Sequence, residues 1–204
     1  MAKCWGNCDY RELQKLRDNL VTLQGADMDR FCQEVSKELA ARLLTLVIPR
    51  TPVGDYKTEV EAVAKRDSKS HKKGDVYTKR INPTGKMGGT LRRGWTARTE
   101  QEAAGGRGNP SADEVAAYVS ALPVTKAGKG YRIEVINPVH YASYVEFGHR
   151  QTPGRYVPAI GKALKGGWVD GQYFLTLSEQ ELRSLAPGLI ERKLEKRLRE
   201  VFHV

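Results

Sequence analysis

The side chains that could do chemistry in this chain are few and scattered. Its four histidines are His71, His140, His149 and His203. His140 and His149 are nine residues apart, which is not the spacing that sets two metal ligands on one helix face. The three cysteines, Cys4, Cys8 and Cys32, are an odd number and too few for a disulfide framework. They suit a reducing compartment. Cys4 and Cys8 do not have the Cys-x-x-Cys spacing of zinc and redox motifs. The carboxylates Asp67, Asp75, Glu134, Glu146 and Asp170 fall in different segments, and a metal-dependent nuclease would need them to converge. There is no Gly-x-Ser-x-Gly elbow, no His-Glu-x-x-His pair and no phosphate-binding Gly-x-x-x-x-Gly-Lys-Ser/Thr loop. This inventory favours a non-enzyme with no cofactor and no metal.

Positive charge is the concentrated feature. The 204 residues carry a net charge of +10, and residues 57–98, with 12 basic and 4 acidic side chains, hold +8 of it. The run comprises Lys65, Arg66, Lys69, Lys72, Lys73, Lys79, Arg80, Lys86, Arg92 and Arg93. One reading is contact with DNA phosphates, without sequence readout and steeply weakened by salt. The other is a solvated loop that docks on an acidic neighbouring protein. Tyr56 and Tyr77 are the only tyrosines nearby, which argues against a stacking platform for single strands.

The elements that must position these groups follow from periodicity. Leu13, Leu16, Leu20 and Leu23 predict a short helix over 9–24, capped by Asp9 and stopped by Gly25. Met28, Phe31, Cys32, Val35, Leu39, Leu43 and Val47 predict a second helix, ended by Pro49. The pattern dissolves over 51–89, with a helical turn expected at 59–65. Strands are expected at 90–99, 115–124 and 131–136, and a short helix at 140–147 closed by Gly148. Residues 151–167 read as a loop or hairpin. A long C-terminal helix begins at Phe174 and should kink at Pro187-Gly188. The expected class is α+β: N-terminal helices and a long kinked C-terminal helix packed on a small, mostly antiparallel sheet. Residues 1–204 are expected to form a single domain, with 1–26 as an N-terminal extension and 54–88 as a basic loop or arm insertion. No apolar run approaches the ~18 residues of a membrane span, and the first residues show no apolar signal core.

Four stretches in succession carry a resemblance. They are Thr51-Pro52-Val53-Gly54, Gly89-Thr90-Leu91-Arg92-Arg93-Gly94-Trp95, Asn137-Pro138-Val139-His140-Tyr141-Ala142-Ser143-Tyr144-Val145-Glu146-Phe147-Gly148-His149, and Gly167-Trp168-Val169-Asp170-Gly171-Gln172-Tyr173-Phe174. Together they resemble the tail-completion or head–tail joining (neck) proteins of long-tailed bacteriophages, the minor tail protein Z-like group. The most specific stretch is 141–148. The basic segment is about thirty residues longer than that group's usual link between Thr-Pro-Val and Gly-x-Leu-Arg. The resemblance implies a non-catalytic virion protein, made in the host cytoplasm and placed at the head-proximal end of the tail. It implies a ring, hexameric by that resemblance, beside head-completion and tail-terminator proteins, with genomic DNA in the channel as a further candidate partner and no membrane contact. It marks Trp95, Tyr141, Tyr144, Glu146, Phe147, Gly148 and Trp168 as structural motif positions. Tyr141, Tyr144 and Phe147 read first as core-packing aromatics. Glu146, if buried, is expected to pair with Arg92 or Arg93.

Overall fold

The computed structural model describes residues 11–22, 26–83, 85, 88–128, 130–157 and 162–202. Seven helices are found among them: α1 (Arg11–Thr22), α2 (Ala26–Arg50), α3 (Thr90–Arg93), α4 (Glu100–Gly105), α5 (Ala112–Ala121), α6 (Ala142–Phe147) and α7 (Phe174–Phe202). Eight short strands accompany them: β1 (Thr58–Val63), β2 (Val76–Ile81), β3 (Val124–Ala127), β4 (Gly130–Ile133), β5 (Gly148–Arg150), β6 (Tyr156–Val157), β7 (Lys162–Ala163) and β8 (Trp168–Asp170). The class is α+β. Every strand pairing is antiparallel, in four two-stranded ladders: β1–β2, β3–β4, β5–β8 and β6–β7. No described helix is long and apolar enough to cross a membrane.

The chain divides into two compact units. The first holds residues 1–46, 113–135 and 176–204. Its α2 starts with Asp27 and Asp29 in the first turn, where acidic groups oppose the helix dipole. Ala40, Leu44 and Val119 are buried. Ion pairs tie α7 to α2 through Arg197–Asp27 and Lys193–Glu38. Lys37 Nζ donates to the carbonyl of Ser120 near the end of α5, at 2.6 Å. Asp29 on α2 accepts from Lys126 Nζ on β3 at 2.8 Å and from the Tyr131 hydroxyl on β4. The second unit holds residues 47–112 and 136–175, with a core of Val47, Ile48, Leu91, Trp95, Ala97, Ala103, Val139 and Phe174.

Several elements differ from the sequence expectation. Helix α2 runs through Pro49 to Arg50, because a proline in the last turn removes only one late hydrogen bond. Its end is set instead by Thr51, whose amide and hydroxyl both donate to the Val47 carbonyl, at 2.9 and 2.7 Å. The strand expected at 90–99 is α3 followed by a turn. Leu91 and Trp95, four apart and both buried, follow helical spacing. The strand expected at 115–124 is α5, with Asp113 and Glu114 favouring its N-terminus, followed by β3. The helical turn expected at 59–65 is β1, paired with β2 from Thr58↔Ile81 to Val63↔Val76. The short helix ahead of Gly148 and the long C-terminal helix are present, the latter continuing through Pro187. The Asp9 cap and the Gly25 stop lie outside the described residues.

Candidate functional site

The four sequence stretches converge on the end of α2 in the second unit. Thr51 is fully buried. Its hydroxyl, while donating to Val47, accepts the Trp95 indole N–H at 2.8 Å. Its carbonyl accepts two bonds from the Arg92 guanidinium, Nε at 3.0 Å and Nη2 at 2.6 Å, and Nη2 also reaches the Pro49 carbonyl at 3.1 Å. A cation over the last carbonyls of a helix satisfies groups with no partner inside it and favours the negative end of its dipole. Trp95 meets Phe174 edge-on, with ring centroids 6.2 Å apart. Asn137 donates to the Leu91 carbonyl at 2.8 Å, fastening the third stretch to the second.

Arg93 is buried and held by oxygen atoms that carry no formal charge. Nε donates to the Ala103 carbonyl at 2.7 Å, Nη1 to the carbonyls of Gly88 and Gly108 at 3.2 and 3.3 Å, and Nη2 to Thr90 Oγ1 at 3.4 Å. Both arginines are therefore committed to pinning loops. The expected pairing of Glu146 with one of them is replaced by another bond. Glu146 is buried, and its carboxylate accepts the Leu175 amide at 2.9 Å. Leu175 is the second residue of α7, so the negative charge sits at a helix N-terminus, where free amides and the dipole both favour it.

The same segment binds the chain leading into α7 through its backbone. Gln172 and Tyr173 donate to the carbonyls of Val145 and Glu146, at 2.9 and 3.1 Å. Gly148 has φ +83°, and a Cβ placed there would lie 2.4 Å from the Val169 carbonyl. The glycine that closes the Tyr-Val-Glu-Phe-Gly stretch is therefore required both by its dihedral and by the close approach of β8.

The motif aromatics separate. Trp95 is buried and Tyr141 half-buried, and burial pushes the Tyr141 phenol above its ordinary pKa. Tyr144, Phe147 and Trp168 are 56%, 59% and 56% exposed, which corrects the core-packing expectation for Tyr144 and Phe147. A six-residue helix can bury only one face, and in α6 that face carries Glu146. The exposed rings gather around one strand. Tyr144 meets His149 edge-on at 5.9 Å, Trp168 lies against Gly148, and Phe147 precedes that glycine.

The basic residues have a separate location. Lys65, Arg66, Lys69, Lys72 and Lys73 occupy the exposed loop that joins β1 to β2, and Lys79 and Arg80 lie on β2. Arg80 pairs with Asp55 at 2.7 Å and approaches Glu59 at 3.8 Å. Lys86 lies outside the described residues. The hairpin was readable in the alternation of Glu59 and Glu61 with Val60 and Ala62, and in the β-favouring run Val76-Tyr77-Thr78.

A family model described as "Bacteriophage HK97-gp10, putative tail-component" matches residues 14–148. That span covers the first two stretches, the basic segment between them and all but the last residue of the third. No curated protein and no solved structure matches the chain.

Proposed function

Because the chain belongs to the HK97-gp10-like family of bacteriophage tail components, we propose that it is a non-catalytic subunit that completes the head-proximal end of the tail and helps join it to the head, acting as a ring of identical copies. The observation that carries this reading is the exposure of Tyr144, Phe147 and Trp168 in the most specific stretches of the chain. Large aromatics in water are costly, and rings of this kind are enriched at the centres of protein interfaces. A ring requires one surface to meet a different surface of the next copy, with a rotation that closes. Leu177, Leu185, Ile190 and Leu198 on α7 are exposed as well. A nuclease built on Glu146 is disfavoured, because the residue is buried and Oε2 faces the α7 amide.

Light scattering on the purified full chain tests the assembly. The expected result is a discrete multiple of 22.8 kDa, reduced towards one copy by Y144S/F147S/W168S with the circular dichroism spectrum unchanged. Immunogold labelling of intact particles tests the position, and label along the tail shaft would overturn the neck assignment. A chain that stays monomeric at every concentration would overturn the ring.

A further inference from the structure

The loop between β1 and β2 is built more firmly than a solvated charge run. The Ser68 amide donates to the His71 carbonyl at 2.8 Å, and the His71 amide returns to Ser68 Oγ at 3.1 Å. The Lys73 amide donates to Asp67 Oδ1 and the Lys72 amide to Asp75 Oδ2, each at 2.7 Å. The Gly74 amide closes on the Ala64 carbonyl at 2.9 Å. The His71 ring stacks on Tyr77 with centroids 4.5 Å apart and planes 16° apart. The two acids of the loop thus serve as acceptors for its own backbone.

Lys65, Arg66, Lys69, Lys72 and Lys73 are exposed, and none has a carboxylate or ring partner among the described residues. Some long cations elsewhere are matched, Arg80 with Asp55, Lys126 with Asp29, Arg132 with Glu134 and Lys193 with Glu38; what sets the loop apart is that five unmatched cations fall within nine residues. The stretch 65–75 contains five Lys and Arg against two Asp and no apolar side chain. The loop itself offers no apolar centre of the kind a protein partner favours, and the exposed Val63 and Val76 lie at its base, away from the cations at its tip. Single-stranded nucleic acid would need a row of free stacking faces, and the loop has none: His71 covers a face of Tyr77, and Tyr56 lies ahead of β1, outside the loop. A duplex backbone needs only closely spaced cations and polar donors.

We propose that the β1–β2 loop is a contact site for the phosphate backbone of duplex DNA, engaged without reading sequence through Lys65, Arg66, Lys69, Lys72 and Lys73. The site does not depend on the ring, so its test uses the chain in whatever oligomeric state it adopts. Fluorescence anisotropy with two labelled 30-base-pair duplexes of unrelated sequence, over 50 to 200 mM salt, reads the site. Both duplexes should bind equally, with log K falling against log salt at a slope of up to about −4.5 for five phosphate contacts. Removing three tip charges as K69Q/K72Q/K73Q should make that slope shallower by about 2.7 and weaken binding at 100 mM salt about tenfold or more. The matched variant R183Q/K196Q/R199Q removes the same charge from exposed positions of α7 and should leave the slope nearly unchanged. Equal effects of the two variants would reduce the interaction to net charge and overturn the site. So would no binding at 50 mM salt, or polyglutamate competing as well as DNA at equal charge concentration, which would point to an acidic protein instead.

Discussion

Thr51 stands where two neighbours need an oxygen and a third, the Val47 carbonyl, needs a donor. The Trp95 indole and the Arg92 guanidinium both donate to it, and its own hydroxyl closes the last turn of α2 on Val47. Replacing Thr51 by Val keeps the volume and removes the hydroxyl, leaving a buried indole N–H without its acceptor. Such a loss costs about 1–3 kcal/mol, read as a lower urea midpoint at constant slope. Thr51→Ser keeps the hydroxyl and should cost less; an equal loss would assign the effect to methyl packing. Glu146 gives a parallel contrast at the start of α7. Glu146→Ala leaves the Leu175 amide without this acceptor and should cost about 1–3 kcal/mol. Glu146→Gln keeps an acceptor oxygen and gives up mainly the charge–dipole term, about 1 kcal/mol or less. Urea unfolding of the two variants side by side checks that order.

At the scale of elements, the β3–β4 hairpin is fastened to α2 through Asp29. Hydrogen bonds from Lys126 and then Tyr131 hold the Asp29 carboxyl below its ordinary pKa of 3.8. A carboxyl whose folded pKa is depressed contributes stability above the unfolded value, and that contribution disappears as pH falls through the folded one. Asp29→Asn should therefore lower the melting temperature at pH 7, and the gap from the unaltered chain should close as pH drops below about 4. Melting curves at pH 7, 5 and 3 read the effect; a gap that persists undiminished at pH 3 would refute it. The elements themselves were unequally legible. Helices α2 and α7 are long, so a three- and four-residue stripe identifies them, α7 even across Pro187, while the end of α2 was set too early at Pro49. Helix α3 has four residues, too few for a period, and its flanking Gly89 and Gly94 give little direction. Helix α5 was obscured by Val115, Tyr118 and Val119, whose β propensity is overridden by Asp113 and Glu114 at its start. The motif positions were legible as a set. Their division into the buried Trp95 and Glu146 and the exposed Tyr144, Phe147 and Trp168 was not, because it depends on which face of a short helix meets the rest of its unit.

At the scale of the whole molecule, charge and architecture come apart. Residues 56–86 hold nine basic and four acidic side chains, half of the net +10. Arg92 and Arg93, beyond that segment, serve the packing around α2. The excursion also leaves and returns at one place: a Cβ on Gly88 would lie 2.2 Å from the Gly54 carbonyl oxygen, so the two backbones touch. A segment whose ends already meet can be exchanged for a short linker at small cost in chain entropy. A chain with residues 56–86 replaced by Gly-Ser-Gly keeps Thr51, Arg92, Arg93, Trp95 and Glu146 with their described partners. It should melt within about 4 °C of the full chain, corresponding to about 1–2 kcal/mol for a protein of this size. Its mass by light scattering should equal the same number of copies, because Tyr144, Phe147 and Trp168 are untouched. Its affinity for duplex DNA at 100 mM salt should be lost. Retained DNA binding would move the phosphate contact elsewhere, and a fall to one copy would make the hairpin part of the assembly interface. Stable assembly with DNA binding gone would place the two properties on separable parts: a basic hairpin carried by a scaffold that does not need it to fold.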